Sequence, residues 1–321
     1  MSGIAIISNA LSHVNKTRLD HLRRAAAGYP AVTHFELREM ADLGGILTDI
    51  AALEPELLII NGGDGTVIAV ATAIVNERPF SNVPPIAVLA GGKTNMIAQD
   101  LGTGGEACRE LAGIIALCEA DRLAGFLQSR PLLSLDGADA PANSIGAFLG
   151  AAAIVRGIEF CRRRIYPLGM PNLMSHSLAI GVLIFLILWP FKGPQSPMRP
   201  ARVHLVIDGK EHIEGDYVLI VATTLERMLL DIRLNPDNED GDLRLWAIEY
   251  SVGALLRAAI GMMCRRLGKW RLKGVMVRRA NSLTMDMNCP YTLDGELYNS
   301  RVGELVRIGD GKRLTFLRLA S

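Results

Sequence analysis

A chain of 321 residues, half of them hydrophobic and 21% charged, has the composition of a folded protein with a large core and is long enough for two domains. A formal net charge of +1 leaves no overall basic field to attract a phosphodiester backbone, which argues against a dedicated nucleic-acid binder. The five cysteines include no C-x-x-C pair, so buried, reduced thiols in a cytoplasmic protein are expected rather than a disulfide framework or zinc site. The start of the chain, MSGIAIISNA, lacks a basic segment and a long apolar run, and secretion is not expected.

The first predicted strand is Ile4 to Ile7, which meets a loop at Ser8-Asn9. A helix over Lys16–Ala27 and a strand over Val32–Leu37 follow. Leu57 to Ile60 is again four apolar residues in a row, the pattern of a strand covered on both faces. It runs into Gly62-Gly63-Asp64-Gly65-Thr66 and a helix over Val67–Val75. Ile86–Leu89 is a fourth buried strand, leading into Gly91-Gly92-Lys93-Thr94-Asn95 and further helix as far as Leu123. Strands alternating with helices imply a parallel α/β sheet, whose ligands sit at the carboxyl ends of the strands. Both glycine-rich loops fall at such ends.

After Leu127 short apolar runs are punctuated by Asp-Gly at 136, 208, 240, 294 and 310. Arg202–Asp208, Tyr217–Ala222, Leu243–Ile248 and Ser282–Met287 are predicted strands, with helix around 178–189 and 252–267. The expected architecture is an α/β nucleotide-binding domain over 1–127 and an antiparallel β-sandwich domain over 128–311, with 312–321 returning to the first. From Ile165 to Phe191 there is no charged residue, but only Leu178–Trp189 is densely apolar. That length suits a core helix or interfacial segment better than a membrane span, which needs about 20 apolar residues.

In the first loop, Gly62 and Gly63 let the backbone turn sharply and approach a ligand closely. The helix behind it offers N–H groups and the positive end of its dipole, so the loop is expected to cradle phosphate. Thr66 can cap that helix or bond a phosphate oxygen. Asp64, a carboxylate beside phosphate, implies either a bridging Mg²⁺ or activation of an attacking hydroxyl. In the second loop Lys93 can meet phosphate as a point charge.

LLIINGGDGTVIAVA followed by PIAVLAGGKTNMIAQDLG resembles the catalytic domain of the diacylglycerol kinase family, which includes bacterial soluble lipid kinases and sphingosine kinases. That family's second motif usually reads P-L-G-T-x-N-D-F-A-R-x-L-G. Gly92, Asn95, Ala98, Leu101 and Gly102 match it, while Lys93, Met96, Ile97 and Gln99 depart from it. Asp294-Gly295-Glu296 is similar to the family's late D-G-E element, and Asp237 to Leu243 to its metal-binding D-x-x-D-G-x-L segment. Where members carry a glycine-rich stretch ahead of that segment, this chain has Thr223 to Met228.

The resemblance implies a NAD kinase/diacylglycerol kinase-like fold and an ATP- and Mg²⁺-dependent lipid kinase, a phosphotransferase acting on a hydroxyl of diacylglycerol or a related lipid. It implies ATP bound by Asn9, Gly62, Gly63, Asp64, Gly65, Thr66, Gly92, Lys93, Thr94 and Asn95. It implies Mg²⁺ held by Asp237, Asp240 and Asp242, catalysis by Asp64, Glu296 and Asp294, and Glu296 as the general base. An NAD kinase-like enzyme and a non-catalytic nucleotide- or lipid-binding regulator are the alternatives. Residues 264–280 carry seven cations and no acid, interleaved with Trp270 and aliphatics. This suits peripheral contact with an anionic membrane, at the inner surface of the cytoplasmic membrane.

Overall fold

The computed structural model describes residues 3–137, 139–153, 155, 199–228, 232–234, 236 and 240–319, with the backbone alone at 310. The chain divides into two compact units. One comprises Met1–Leu132, Arg227–Asp231 and Gly311–Ser321, the other Leu133–Glu226 and Ile232–Asp310. The apolar stretch 165–191 and Cys161 lie outside the described residues. None of the described helices is long and apolar enough to cross a membrane.

In the first unit the elements run β1 (Ile4–Asn9), α1 (Asn15–Ala27), β2 (Val32–Leu37), α2 (Leu43–Ala52), β3 (Leu57–Gly62), α3 (Asp64–Glu77), β4 (Ile86–Ala90), α4 (Met96–Leu101) and α5 (Ala107–Glu119). The strands pair in the order β4-β3-β1-β2, all parallel, as the unbroken apolar runs require. Ile4, Ile6, Leu57, Ile59, Ala87 and Leu89 form one face, packed on Leu22 and Ala26 of α1 and Leu111, Ile114 and Ile115 of α5. Residues of the opposite parity (Ala5, Ile7, Leu58, Ile60, Ile86, Val88) are just as buried. Each such aliphatic side chain contributes about 1.5–3 kcal/mol relative to exposure. Helix α2, with Leu47 and Ile50 buried, has no counterpart among the sequence expectations, because Gly44-Gly45 interrupts its pattern.

The second unit is antiparallel. It contains β6 (Ser144–Gly146), β7 (Phe148–Ala152), β8 (Ala201–Ile207), β9 (Glu211–Thr223), β10 (Leu243–Glu249), α6 (Val252–Met263), β11 (Val275–Ala280), β12 (Ser282–Met287), β13 (Pro290–Leu293) and β14 (Glu296–Asn299). Two further strands, β5 (Leu127–Asp136) and β15 (Leu305–Leu317), run from one unit into the other. β9 is long enough to serve two ladders: residues 211–217 pair with β8, and 219–223 with both β7 and β10. Val203, Leu205, Ile207, Leu283, Met285, Tyr291 and Ile308 belong to its core.

Asp294-Gly295 is a two-residue hairpin turn between Leu293 and Glu296, and Asp208-Gly209 lies in the three-residue connection between Ile207 and Glu211. Asp208-Gly209 and Asp294-Gly295 have φ of 50° and 65°, and 49° and 98°, the double positive φ that a type I′ turn needs. Asp310-Gly311, expected as another turn, lies instead inside β15, which continues through it. The expectation of buried cysteines also needs correction. Among the described cysteines only Cys289 is buried; Cys108 and Cys118 are half-buried and Cys264 is exposed, all four as free thiols.

Within the first unit the carboxylate of Asp100, 1% exposed, pairs with the buried guanidinium of Arg130 and accepts the Arg227 N–H at 2.8 Å. Removing one partner of a buried pair leaves the other charge desolvated. Asp100→Ala is therefore expected to lower unfolding free energy by about 3–5 kcal/mol in urea titration. A loss below about 1 kcal/mol, the range of exposed pairs, would show the contact to be solvated.

Candidate active site

The glycine turns at the ends of β3 and β4 are pressed together, backbone on backbone. A Cβ on Gly92 would collide with Gly63 Cα and lie 3.0 Å from Asn95 Oδ1. One on Gly91 would lie 2.9 Å from Gly62 Cα, and one on Gly62 would lie 2.6 Å from Thr66 Cβ. Glycine is needed here for close approach of two chains, since none of these positions has a positive φ. The Gly91 N–H donates to Gly62 O at 2.9 Å, and Val14 N–H to Gly91 O at 2.9 Å, tying the start of α1 to the second turn.

Side chains lock this arrangement. Asn15 Nδ2 donates to Asn9 O at 2.8 Å and Asn61 O at 3.1 Å, bridging the ends of β1 and β3. Asn9 Nδ2 donates to Thr66 Oγ1 at 2.8 Å, and Asn9 Oδ1 accepts Leu11 N–H. Thr66 makes no cap bond to α3. Its hydroxyl, accepting from Asn9, anchors the end of β1 to the first turn of α3. Asn95 adopts φ 54°, ψ 42° and closes the second turn, its Oδ1 accepting Gly92 N–H at 2.7 Å and its Nδ2 donating to Gly92 O at 3.0 Å. Thr94 O accepts from Gln99 Nε2, and Lys93 and Thr94 are half-buried.

Asp64 opens α3 and reaches across to α4. Its two carboxylate oxygens accept the N–H groups of Met96 at 3.1 Å and Ile97 at 2.9 Å. It thus caps the helix that follows the second loop, joining the turns covalently distant by some thirty residues. Burial pushes its carboxyl up from the ordinary value, while the backbone donors at Ile97, Met96 and Asn95 oppose that rise. Gly65 faces open space, so a ligand can approach the first turn of α3, whose leading N–H groups lack intrahelical acceptors. The cradle fits nucleotide phosphate.

In the second unit, Asp294 at the first corner of the β13–β14 hairpin accepts the N–H groups of Ala147 at 2.8 Å and Phe148 at 3.1 Å. Its carboxylate latches the hairpin to the start of β7, and a Cβ at Gly146 would collide with it. Glu296 is exposed and accepts from Tyr298 Oη at 2.7 Å. The Tyr298 hydroxyl is pushed up to about 12 by burial and then by that carboxylate, so it remains a donor to Glu296. Thr223 and Thr224 both bond Ala147 O, and Arg244 Nη1 donates to Thr224 O with Glu226 at 3.7 Å. This chain therefore fills the family's glycine stretch with residues that hold the loop by side chain and backbone.

Asp240 is exposed, Asp242 is half-buried, and Asp237 lies outside the described residues. Among the described residues no group of three or more His, Cys, Asp or Glu side chains could hold a metal ion. A groove of about 800 Å³ beside β2, lined by Arg23, Val32, His34, Glu36 and Arg38, contains none of the expected site residues. Sequence reasoning missed Asn15, Asn61, Asp100 and Tyr298. Asparagine just after an apolar strand run was the available signal for Asn61; Asn15, the first residue of α1, carried none.

Residues 6–122 match the family model described as the diacylglycerol kinase catalytic domain. Over that stretch the family resemblance holds. No curated protein matches the chain. Three crystal structures of Bacillus anthracis str. Sterne proteins, each described as a diacylglycerol kinase or a candidate one, share its fold. They have TM-scores of 0.67, 0.61 and 0.62 at 16%, 16% and 17% identity, over 99% of this chain and 97% of each of theirs. The diacylglycerol-kinase-like fold thus extends over both units, with the family model covering the one that carries the glycine turns.

Gly92→Ala is expected to force the two turns apart and cost about 1–3 kcal/mol, read by thermal unfolding. Unchanged stability would show that the turns do not touch. Burial also has a pH signature. The Asp64 carboxyl should ionise above pH 3.8 in a ¹³C carboxyl titration. Because the unfolded carboxyl ionises first, this group's contribution is greatest below the unfolded value and declines as pH rises through the folded one. A titration midpoint at or below the ordinary value would mean the backbone donors outweigh burial.

Proposed function

We propose that this protein is an ATP- and Mg²⁺-dependent lipid kinase that phosphorylates a hydroxyl of diacylglycerol or a related lipid. The observation that supports it most is the double glycine turn at the carboxyl ends of β3 and β4, within the stretch that matches the diacylglycerol kinase catalytic domain.

Bound ATP would supply the transferable phosphoryl group. In this reading the Gly62–Thr66 and Gly92–Asn95 backbones hold its phosphates, and Lys93 adds a neutralising charge. Asp64 is a positioning residue, keeping α4 and the second turn in register through Met96 and Ile97. Of the two late carboxylates, Glu296 is assigned the general base. Asp294 has both oxygens engaged by backbone donors, whereas Glu296 is exposed. The acceptor hydroxyl would pass its proton to Glu296 as its oxygen forms the new bond to the γ-phosphorus, while the bond from that phosphorus to the β,γ-bridging oxygen breaks and ADP leaves with the electron pair. Tyr298 holds Glu296 in one orientation. Asp237, Asp240 and Asp242 are proposed as Mg²⁺ ligands; the described residues do not complete that set, and no step is derived through it.

The test is transfer of labelled γ-phosphate to a lipid panel, with NAD as a parallel acceptor and with chelator as a control. Phosphorylation of a hydroxylated lipid, lost with chelator, is expected. Transfer to NAD alone would make the enzyme NAD kinase-like, and ATP binding without transfer to any acceptor would favour a regulator. Glu296→Gln should lower kcat by about 10²–10⁴ with little change in ATP affinity. An effect confined to ATP affinity would remove Glu296 from the role of base.

A further inference from the structure

From Tyr250 to Met285 the chain contains no acidic residue and eight cations. Helix α6 lies in this stretch, starting at Ser251, whose side chain accepts the Ala254 N–H at 3.1 Å. Ala254, Leu255, Ala258 and Gly261 are its buried face. Its outer face is apolar as well. Val252, Leu256, Ile260 and Met263 are exposed by 48, 41, 53 and 85%, at spacings of four, four and three residues, which is a single stripe. Tyr250 extends it by another exposed ring.

The loop after α6 brings cations to the end of this stripe, with exposed Arg265 and Arg266 following Met263 directly in the chain. Leu267 is buried, and a Cβ on Gly261 would sit 3.0 Å from Leu272, so the loop packs down on the helix. That packing leaves Arg265, Arg266, Lys269, Arg271 and Lys273 exposed, with Trp270 exposed among them. Arg257 Nε donates to Lys273 O and pins the loop to the helix. Glu249 stands at the margin, by Gly274. A solvated surface helix would show charge on its outer face; this one shows aliphatics and is followed by a loop of exposed cations and an exposed indole.

We propose that α6 and the loop to Lys273 form a docking surface for an anionic lipid bilayer, with the α6 stripe entering the interface and the loop cations meeting the headgroups. The cations select a negatively charged partner, and the continuous aliphatic stripe with Trp270 selects one that is apolar just beneath that charge. The inference deepens the lipid-kinase reading by naming the surface through which such an enzyme would reach its substrate; it rests on that reading for its purpose alone.

The experiment uses the full chain without ATP and phosphatidylcholine vesicles with and without phosphatidylserine, in low and high salt. Co-sedimentation should require phosphatidylserine and weaken with salt, and Trp270 emission should shift to the blue, a shift lost in Trp270→Phe. Lys269→Glu with Arg271→Glu should weaken binding on the order of thirtyfold, from about 1 kcal/mol per cation. Ile260→Ser with Met263→Ser should weaken it about tenfold with circular dichroism unchanged. Equal binding to neutral vesicles, or binding untouched by both pairs, would overturn the proposal. So would a parent dimer in light scattering that Ile260→Ser with Met263→Ser turns into monomer, since a second copy would then cover the stripe. Because sedimentation needs no turnover, a chain that docks but transfers no phosphate refutes the kinase reading alone. One that transfers phosphate to a short-chain, water-dispersed lipid yet fails to dock refutes this surface alone.

Discussion

The contact between Gly63 and Gly92, with Gly62 against Gly91 beside it, is the constraint on which the parallel-sheet unit depends. Two strand ends can be brought to backbone contact only where neither carries a side chain. Once they are, every polar group nearby has to be satisfied from a small set of neighbours. Asn9, Asn15, Thr66 and Asn95 do this through short side chains that bond backbone or one another. The result is a rigid rim at the carboxyl ends of β1, β3 and β4, where a parallel sheet receives its ligand. The helix behind the first turn can then present its N–H groups to phosphate without reorganisation.

This arrangement explains how the second motif tolerates its substitutions. Asn95 keeps the turn closed through Gly92, and Asp64 supplies the cap that α4 lacks from its own N-cap residue. Met96 and Ile97 act there through backbone N–H groups, which any residue other than proline provides. A departure from the family's usual residue at those positions therefore leaves the bonds to Asp64 available. Burial makes the same carboxylate costly to ionise, so its retention points to a demand for geometry that an apolar residue could not meet.

Much of the first unit was legible because a fully buried parallel strand leaves an unbroken apolar run. Leu57–Ile60 and Ile86–Leu89 fell inside observed strands, and the glycine turns fell directly after them. The second unit was less legible. The long β9 is divided between ladders, and a strand that changes partners along its length has no single period. Asp-Gly shows the limit of local signals. At 208 and 294 the pair sits between antiparallel partners and takes positive φ at both residues, and at 310 the same pair lies within a strand that continues into the other unit. The turn was decided by what the flanking strands pair with, a non-local fact. Asp100 was invisible for a similar reason: its partner Arg130 lies thirty residues away, with no pattern linking them.

The late carboxylates show how structure separates residues that sequence places together. Asp294 and Glu296 flank one glycine, and their chemistry in isolation is the same. The I′ turn places Asp294 at a positive φ, where its side chain meets the N–H groups of Ala147 and Phe148. Glu296 starts the outgoing strand, opposite Leu293, and accepts from the neutral phenol of Tyr298. Both oxygens of Asp294 are thus engaged in holding the hairpin to β7. A carboxylate bonded to a single hydroxyl keeps lone pairs open to solvent. The hairpin thus makes one carboxylate a fastener and leaves the other exposed and oriented, the condition a proton acceptor needs before any substrate arrives.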